Sequence, residues 1–63
     1  MKAGDQVDVH HVSLGYEGEG PDVIGRGVLL TDPANGDVVV WMAEPINYQR
    51  QFRVPTQDVT VLP

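Results

Sequence analysis

Two adjacent histidines, His10 and His11, are the first residues whose types could support chemistry. Neutral imidazole is a common metal ligand. Two ligands must converge on one point, however, and neighbouring residues of a strand point to opposite faces. The chain has no cysteine and no third histidine to complete a structural zinc site. The pattern predicts no metal and no cofactor, with one histidine at the surface and one packed at the rim of the fold.

The residues support neither nucleophilic catalysis nor phosphate binding. Ser13, the only serine, follows the two histidines, but a catalytic triad also needs a third group that orients the base. The glycines between Gly15 and Gly20 suggest a phosphate loop, yet Glu17 and Glu19 lie between them and would repel phosphate. The sequence therefore predicts a chain that is not an enzyme.

Aromatic and charged residues form the more informative set. If Val38, Val40 and Met42 face the interior, the alternation of a strand turns Trp41 outward, where an exposed tryptophan has the character of an interface hot spot. The alternative is that Trp41 closes the bottom of the core. We predict two parts to a partner-binding surface. The aromatic and cationic part comprises Trp41, Tyr48, Arg50 and Arg53, and the acidic part comprises Tyr16, Glu17, Glu19 and Asp22.

The charge balance narrows the class of partner. The net charge is -5, from nine acidic and four basic residues, and an acidic surface repels a phosphate backbone. We therefore expect a protein partner and no direct nucleic-acid contact. The longest apolar run, from Val38 to Ala43, is far shorter than the roughly 20 residues of a membrane span. No apolar leader follows Met1, which predicts a cytoplasmic product.

The elements that must position these residues are short strands. Apolar and polar residues alternate in runs broken by glycine, proline or Asn-Gly, and no useful stretch has a helical period. The predicted order is a strand at 5–12, a loop from Ser13 to Asp22, and strands at 23–31 and 37–43, the last ended by Pro45. Another strand at 49–54 places Tyr48, Phe52 and Val54 on one face with Arg50. A 3-10 turn after Pro55 precedes the last strand at 59–62.

Two local signals refine this order. Asn35-Gly36 predicts a tight hairpin between the second and third strands. Gly25 and Gly27 inside the second strand predict a bulge, a sharp bend or a close backbone approach. Five short strands fit one all-β domain over residues 1–63, a small barrel whose closure removes exposed edges.

The order of parts resembles the SH3-like barrels, a group that includes KOW and Tudor modules. The resemblance rests on Gly4-Asp5-Gln6-Val7, Gly25-Arg26-Gly27-Val28, Val38-Val39-Val40-Trp41 and the stretch from Val54 to Leu62. It implies a five-stranded barrel and no particular activity, because this fold carries many functions. The plasmid-encoded type II dihydrofolate reductases are also similar in size, but Gln51-Phe52-Arg53-Val54 replaces their pore motif. Eukaryotic SH3 domains share an acidic loop and a Pro-x-Asn-Tyr turn, with a different spacing to tryptophan.

These features favour a non-catalytic interaction module. We expect an acidic accessory protein, of a kind common among phage and mobile elements, that binds a host protein or itself. Self-association would compensate for the small core of so short a chain. One alternative is a nucleic-acid-associated KOW or Tudor-like module that uses Arg26, Arg50 and Arg53. The other is a small enzyme with a site at an oligomer axis, lined by Gln49, Gln51 or Arg53.

Overall fold

The computed structural model describes residues 1–11 and 24–63, and their regular structure is all β with one 3-10 turn. The predicted fold class is confirmed. The predicted loop from Ser13 to Asp22 lies outside the described residues. The elements are β1 (Gln6–Val9), β2 (Gly25–Leu29), β3 (Asp37–Ile46), β4 (Gln49–Pro55), η1 (Thr56–Asp58) and β5 (Val59–Val61).

The five strands form one antiparallel sheet in the order β4-β3-β2-β1-β5. The chain thus returns at its end to pair with its beginning, with Val9 opposite Val59. The sheet curls into a half-barrel in which β4 and β5 are the two edge strands. The closure expected from the sequence is therefore partial.

The core lies on the inner face of the curled sheet. Strict alternation on β3 buries Val38, Val40 and Met42, the arrangement that turns Trp41 outward, and Phe52 is an aromatic residue of the core. The buried hydrophobic residues of the described part are the nine residues Val7, Val9, Leu29, Val38, Val40, Met42, Phe52, Val54 and Val59. In the described part of the chain, no polar or charged residue belongs to this buried set.

Turn-forming residues lie between the strands at two positions where the sequence predicts them. Asn35 and Gly36 have φ values of 55° and 82°, the left-handed conformation that this pair tolerates in hairpins. Pro55 precedes the 3-10 turn, as predicted, because its fixed φ suits the start of a helical turn. No helix within residues 1–11 and 24–63 has the length and apolar character needed to cross a bilayer.

The structure corrects two predictions in the β3–β4 hairpin. Pro45 does not end β3, which continues to Ile46 through a bulge where the β3–β4 register shifts between Trp41 and Ile46. A bulged residue needs no ladder hydrogen bond, so a proline without an N–H is tolerated there. Tyr48 does not share a strand face with Phe52. It lies in the turn, with φ 68°.

Gly27 lies where the backbones of β2 and β3 approach closely, one of the outcomes predicted for a glycine in this strand. It pairs with Met42, and a Cβ atom on Gly27 would lie 2.6 Å from the carbonyl oxygen of Trp41. Any larger residue would therefore force the two backbones apart. This close contact fixes Trp41 relative to β2.

Candidate functional site

Trp41 projects from the outer face of the sheet, on the side away from the core. Its neighbours Val40 and Met42 are fully buried, whereas Trp41 is 44% exposed. Of the two arrangements that the sequence leaves open, the structure has the one in which Trp41 faces outward. Across the sheet it lies opposite Val28 on β2 and Gln51 on β4. The three outward side chains therefore lie side by side, since directly opposite residues of antiparallel strands are neighbours.

Further apolar side chains extend this row on the outer face. The N–H of Leu30 donates to the carbonyl of Val39 at 2.8 Å, which continues the β2–β3 ladder by one residue beyond Leu29. Leu30 is 44% exposed, and Ala43 is also exposed. We define the outer apolar patch as Val28, Leu30, Val39, Trp41 and Ala43.

A shallow groove of about 210 Å³ crosses the centre of this patch. Its volume is below the roughly 300–1,000 Å³ typical of small-molecule pockets. It therefore has the size for a protruding side chain of a partner and is small for a metabolite. The lining residues are Gln6, Arg26, Gly27, Val28, Trp41 and Ala43.

Two arginines, Arg26 and Arg53, lie at the margins of the outer apolar patch. The Nε of Arg26 donates to Oδ1 of Asp8 at 3.0 Å, directly across the β1–β2 pair. The Arg26 side chain is 67% exposed, so this ion pair contributes little to stability. Arg53 lies opposite Val39, diagonal to Trp41 on the same face. Within the described residues, Arg26–Asp8 is the only ion pair, so Arg53 has no carboxylate partner there.

The structure brings together some of the predicted partner-binding residues and separates others. Trp41 and Arg53 share the outer face. Arg50 is exposed on β4 but, by strand alternation, lies on the opposite side from Arg53. Tyr48 is 99% exposed at the tip of the β3–β4 hairpin. The predicted acidic part falls outside the described residues and comprises Tyr16, Glu17, Glu19 and Asp22.

The hydrogen bonds of His10, in the His10–His11 pair, hold parts of the fold together. His10 and His11 are both half-buried. Nε2 of His10 is hydrogen-bonded to Oγ1 of Thr60, and the His10 N–H donates to the carbonyl of Asp58 at 2.7 Å. These contacts tie the residue that follows β1 to η1 and β5. Residues 1–11 and 24–63 contain no group of three or more side chains suited to a metal ion.

A second cavity, of about 320 Å³, lies beside the β3 bulge. Among the described residues that line it, Arg26 and Glu44 are charged, and Arg26 already bonds Asp8. These described residues do not combine an acid, a base and a nucleophile. Its residues are Ile24, Gly25, Arg26, Met42, Ala43, Glu44, Pro45 and Ile46.

Sequence reasoning did not include Val28 and Leu30 in the candidate site. Their signal was the run from Gly27 to Leu30, in which Leu29 is buried and its neighbours alternate outward. Comparison of the chain with protein-family models, with curated proteins and with solved structures gives no significant match.

Proposed function

We propose that this chain is a non-catalytic protein-interaction module that docks through the outer apolar patch. It is an acidic accessory protein of the cytoplasm, and its partner is a host protein or a second copy of the chain. The observation that carries the proposal is the 44% exposure of Trp41 within a row of apolar side chains. Tryptophan at the centre of an apolar patch, with arginine nearby, is the composition that dominates binding energy at protein interfaces.

We further propose that the fold is an SH3-like barrel. The antiparallel order β4-β3-β2-β1-β5 and the 3-10 turn before the last strand support this assignment. The fold alone does not determine an activity, so the functional proposal rests on the exposed surface.

The charge distribution favours a protein partner over nucleic acid. Of the nine acidic residues, three (Glu17, Glu19 and Asp22) are outside the described part, which leaves six carboxylates against four basic side chains. One of those bases, Arg26, is paired with Asp8. Nucleic-acid binding without base recognition needs several unpaired basic groups on one face.

Replacing Trp41 with alanine tests the proposal. The residue is outside the core, so Trp41→Ala should leave the fold intact and abolish partner capture or self-association. Loss of a hot-spot tryptophan costs about 2–4 kcal/mol of binding, a factor of roughly 30 to 1,000 in affinity. Affinity capture from native cells with mass spectrometry, together with sedimentation velocity, measures both modes of binding.

Val61→Ala is the matched control, because Val61 is 39% exposed but lies on the edge strand β5. It should retain the binding of the unmodified protein. If Trp41→Ala and Val61→Ala retain the same partners and the same sedimentation coefficient, the outer apolar patch is not the docking surface.

A further inference from the structure

The edge strand β4 has a row of backbone groups that no other strand within residues 1–11 and 24–63 covers. It pairs with β3 on one side and is the last strand of the sheet on the other. Seven residues, from Gln49 to Pro55, make it more than twice as long as the other edge strand, β5. An uncovered edge of this length can accept an additional strand from a partner.

The ladder identifies which groups are uncovered. The N–H of Leu30 bonds the carbonyl of Val39, so the backbone groups of Val39 point toward β2. Val38 and Val40 therefore point toward β4, where they meet Val54 and Phe52. By the same alternation, the N–H and carbonyl groups of Gln51 and Arg53 point away from β3. Pro55 ends this row with a carbonyl and no donor.

The charge on this edge is opposite to that of the molecule. The only charged side chains of β4 are Arg50 and Arg53, and neither has a carboxylate partner among the described residues. The chain as a whole carries a net charge of -5. The β4 edge is thus a basic strip on an acidic protein. A second copy paired through the same edge would bring four arginines together, which disfavours self-pairing.

We infer that β4 binds an acidic peptide segment of a partner protein as an added antiparallel strand. Gln51 and Arg53 supply the backbone hydrogen bonds, and the Arg53 guanidinium meets a carboxylate of the peptide on the outer face. An added strand would lie two strand spacings, about 9–10 Å, from β3. At that distance its side chains on the outer face are within reach of the Trp41 side chain. The inference rests on the proposed function as a protein-interaction module but uses backbone atoms of β4 in place of the outer apolar patch.

The test uses a synthetic seven-residue peptide in which glutamate alternates with valine, capped at both ends. Titration should shift the amide resonances of Gln51 and Arg53. Gln51→Pro removes an N–H that does not bond β3, so it should preserve the sheet and weaken peptide binding at least about tenfold. Gln51→Ala keeps that N–H and should stay within about threefold of the unmodified protein. Arg53→Gln should weaken binding roughly tenfold and reduce its salt dependence.

Two controls on the peptide keep the inference falsifiable even if Gln51→Pro does not fold. An N-methylated version, which lacks the donors facing β4, and a lysine version of opposite charge should both lose binding. Equal binding of all three peptides, no binding of the acidic one, or shifts confined to the outer apolar patch would overturn the inference. A dimer that forms without peptide and is dissolved by Gln51→Pro would assign the edge to a second copy. Partner capture by the Trp41→Ala variant tests the proposed function separately from these peptide titrations.

Discussion

Gly27 shows how one residue without a side chain positions the candidate surface. Its Cα lies opposite Met42, and the carbonyl of Trp41 occupies the space that a Cβ atom would fill. The obstacle is backbone, which cannot rotate aside as a flexible side chain can. Gly25, two residues earlier in the same strand, has a different neighbour: its Cβ would lie 3.2 Å from Cε of Met42, the mobile end of a long side chain.

We therefore predict that Gly27→Ala destabilises the fold far more than Gly25→Ala does. Overpacking against backbone should cost about 1–3 kcal/mol or more in the free energy of unfolding, whereas movement of the Met42 methyl should cost under about 1 kcal/mol. Urea unfolding followed by circular dichroism measures both values. Equal losses in the two variants would show that β2 and β3 adjust to each other freely.

At the scale of elements, two hairpin turns have similar backbones and different sequences. Asn35-Gly36 has φ values of 55° and 82°, and Asn47-Tyr48 has φ values of 52° and 68°. Glycine adopts this left-handed conformation without steric cost, whereas tyrosine does not. The turn before β4 therefore stores strain, and it presents a fully exposed tyrosine at its tip.

Exchanging the residue types of the two turns should have opposite effects. Tyr48→Gly is expected to stabilise the protein by about 1 kcal/mol, because it relieves the strain of a positive φ. Gly36→Tyr is expected to destabilise it by a similar amount. Thermal unfolding compares each variant with the unmodified protein, and a loss of stability in Tyr48→Gly would mean that the tyrosine ring makes a stabilising contact.

The two turns also show which parts of the fold the sequence could predict. Asn35-Gly36 is itself a turn signal, whereas the alternation of β3 allowed an outward Trp41 without excluding that Trp41 closes the bottom of the core. The β3 bulge has no such signal, since the pairing register depends on contacts between strands. The second turn has Asn47, which tolerates a positive φ, but Tyr48 beside it is a poor turn former. The exposed edge of β4 could not be predicted either. The sequence favoured a closed barrel, which has no edge strand, and which strands lie at an edge depends on their order in the sheet.

The fold of the described residues depends on a core of nine buried hydrophobic side chains. For 63 residues, a free energy of unfolding of about 3–9 kcal/mol is typical, so one core truncation can remove most of it. Leu29 and Leu30 provide a matched pair for this argument: the first is 1% exposed and the second is 44% exposed.

Leu29→Ala should cost about 2–5 kcal/mol, which would leave much of the protein unfolded at physiological temperature. Leu30 lies on the outer face, so Leu30→Ala should change the free energy of unfolding by less than about 0.5 kcal/mol. Amide resonance dispersion and thermal unfolding separate the two outcomes. Similar stability in both variants would contradict the half-barrel with its core on the inner face.

The pairing of the first strand with the last has a consequence for how this fold can be combined with other chains. The N–H of Leu62 donates to the carbonyl of Gln6 at 2.8 Å, so the polypeptide enters and leaves the domain at neighbouring points. A domain with this geometry can be inserted into a surface loop of a host protein without separating the two ends of that loop. Its β4 edge, at the opposite end of the strand order, would remain open to solvent in such a chimaera.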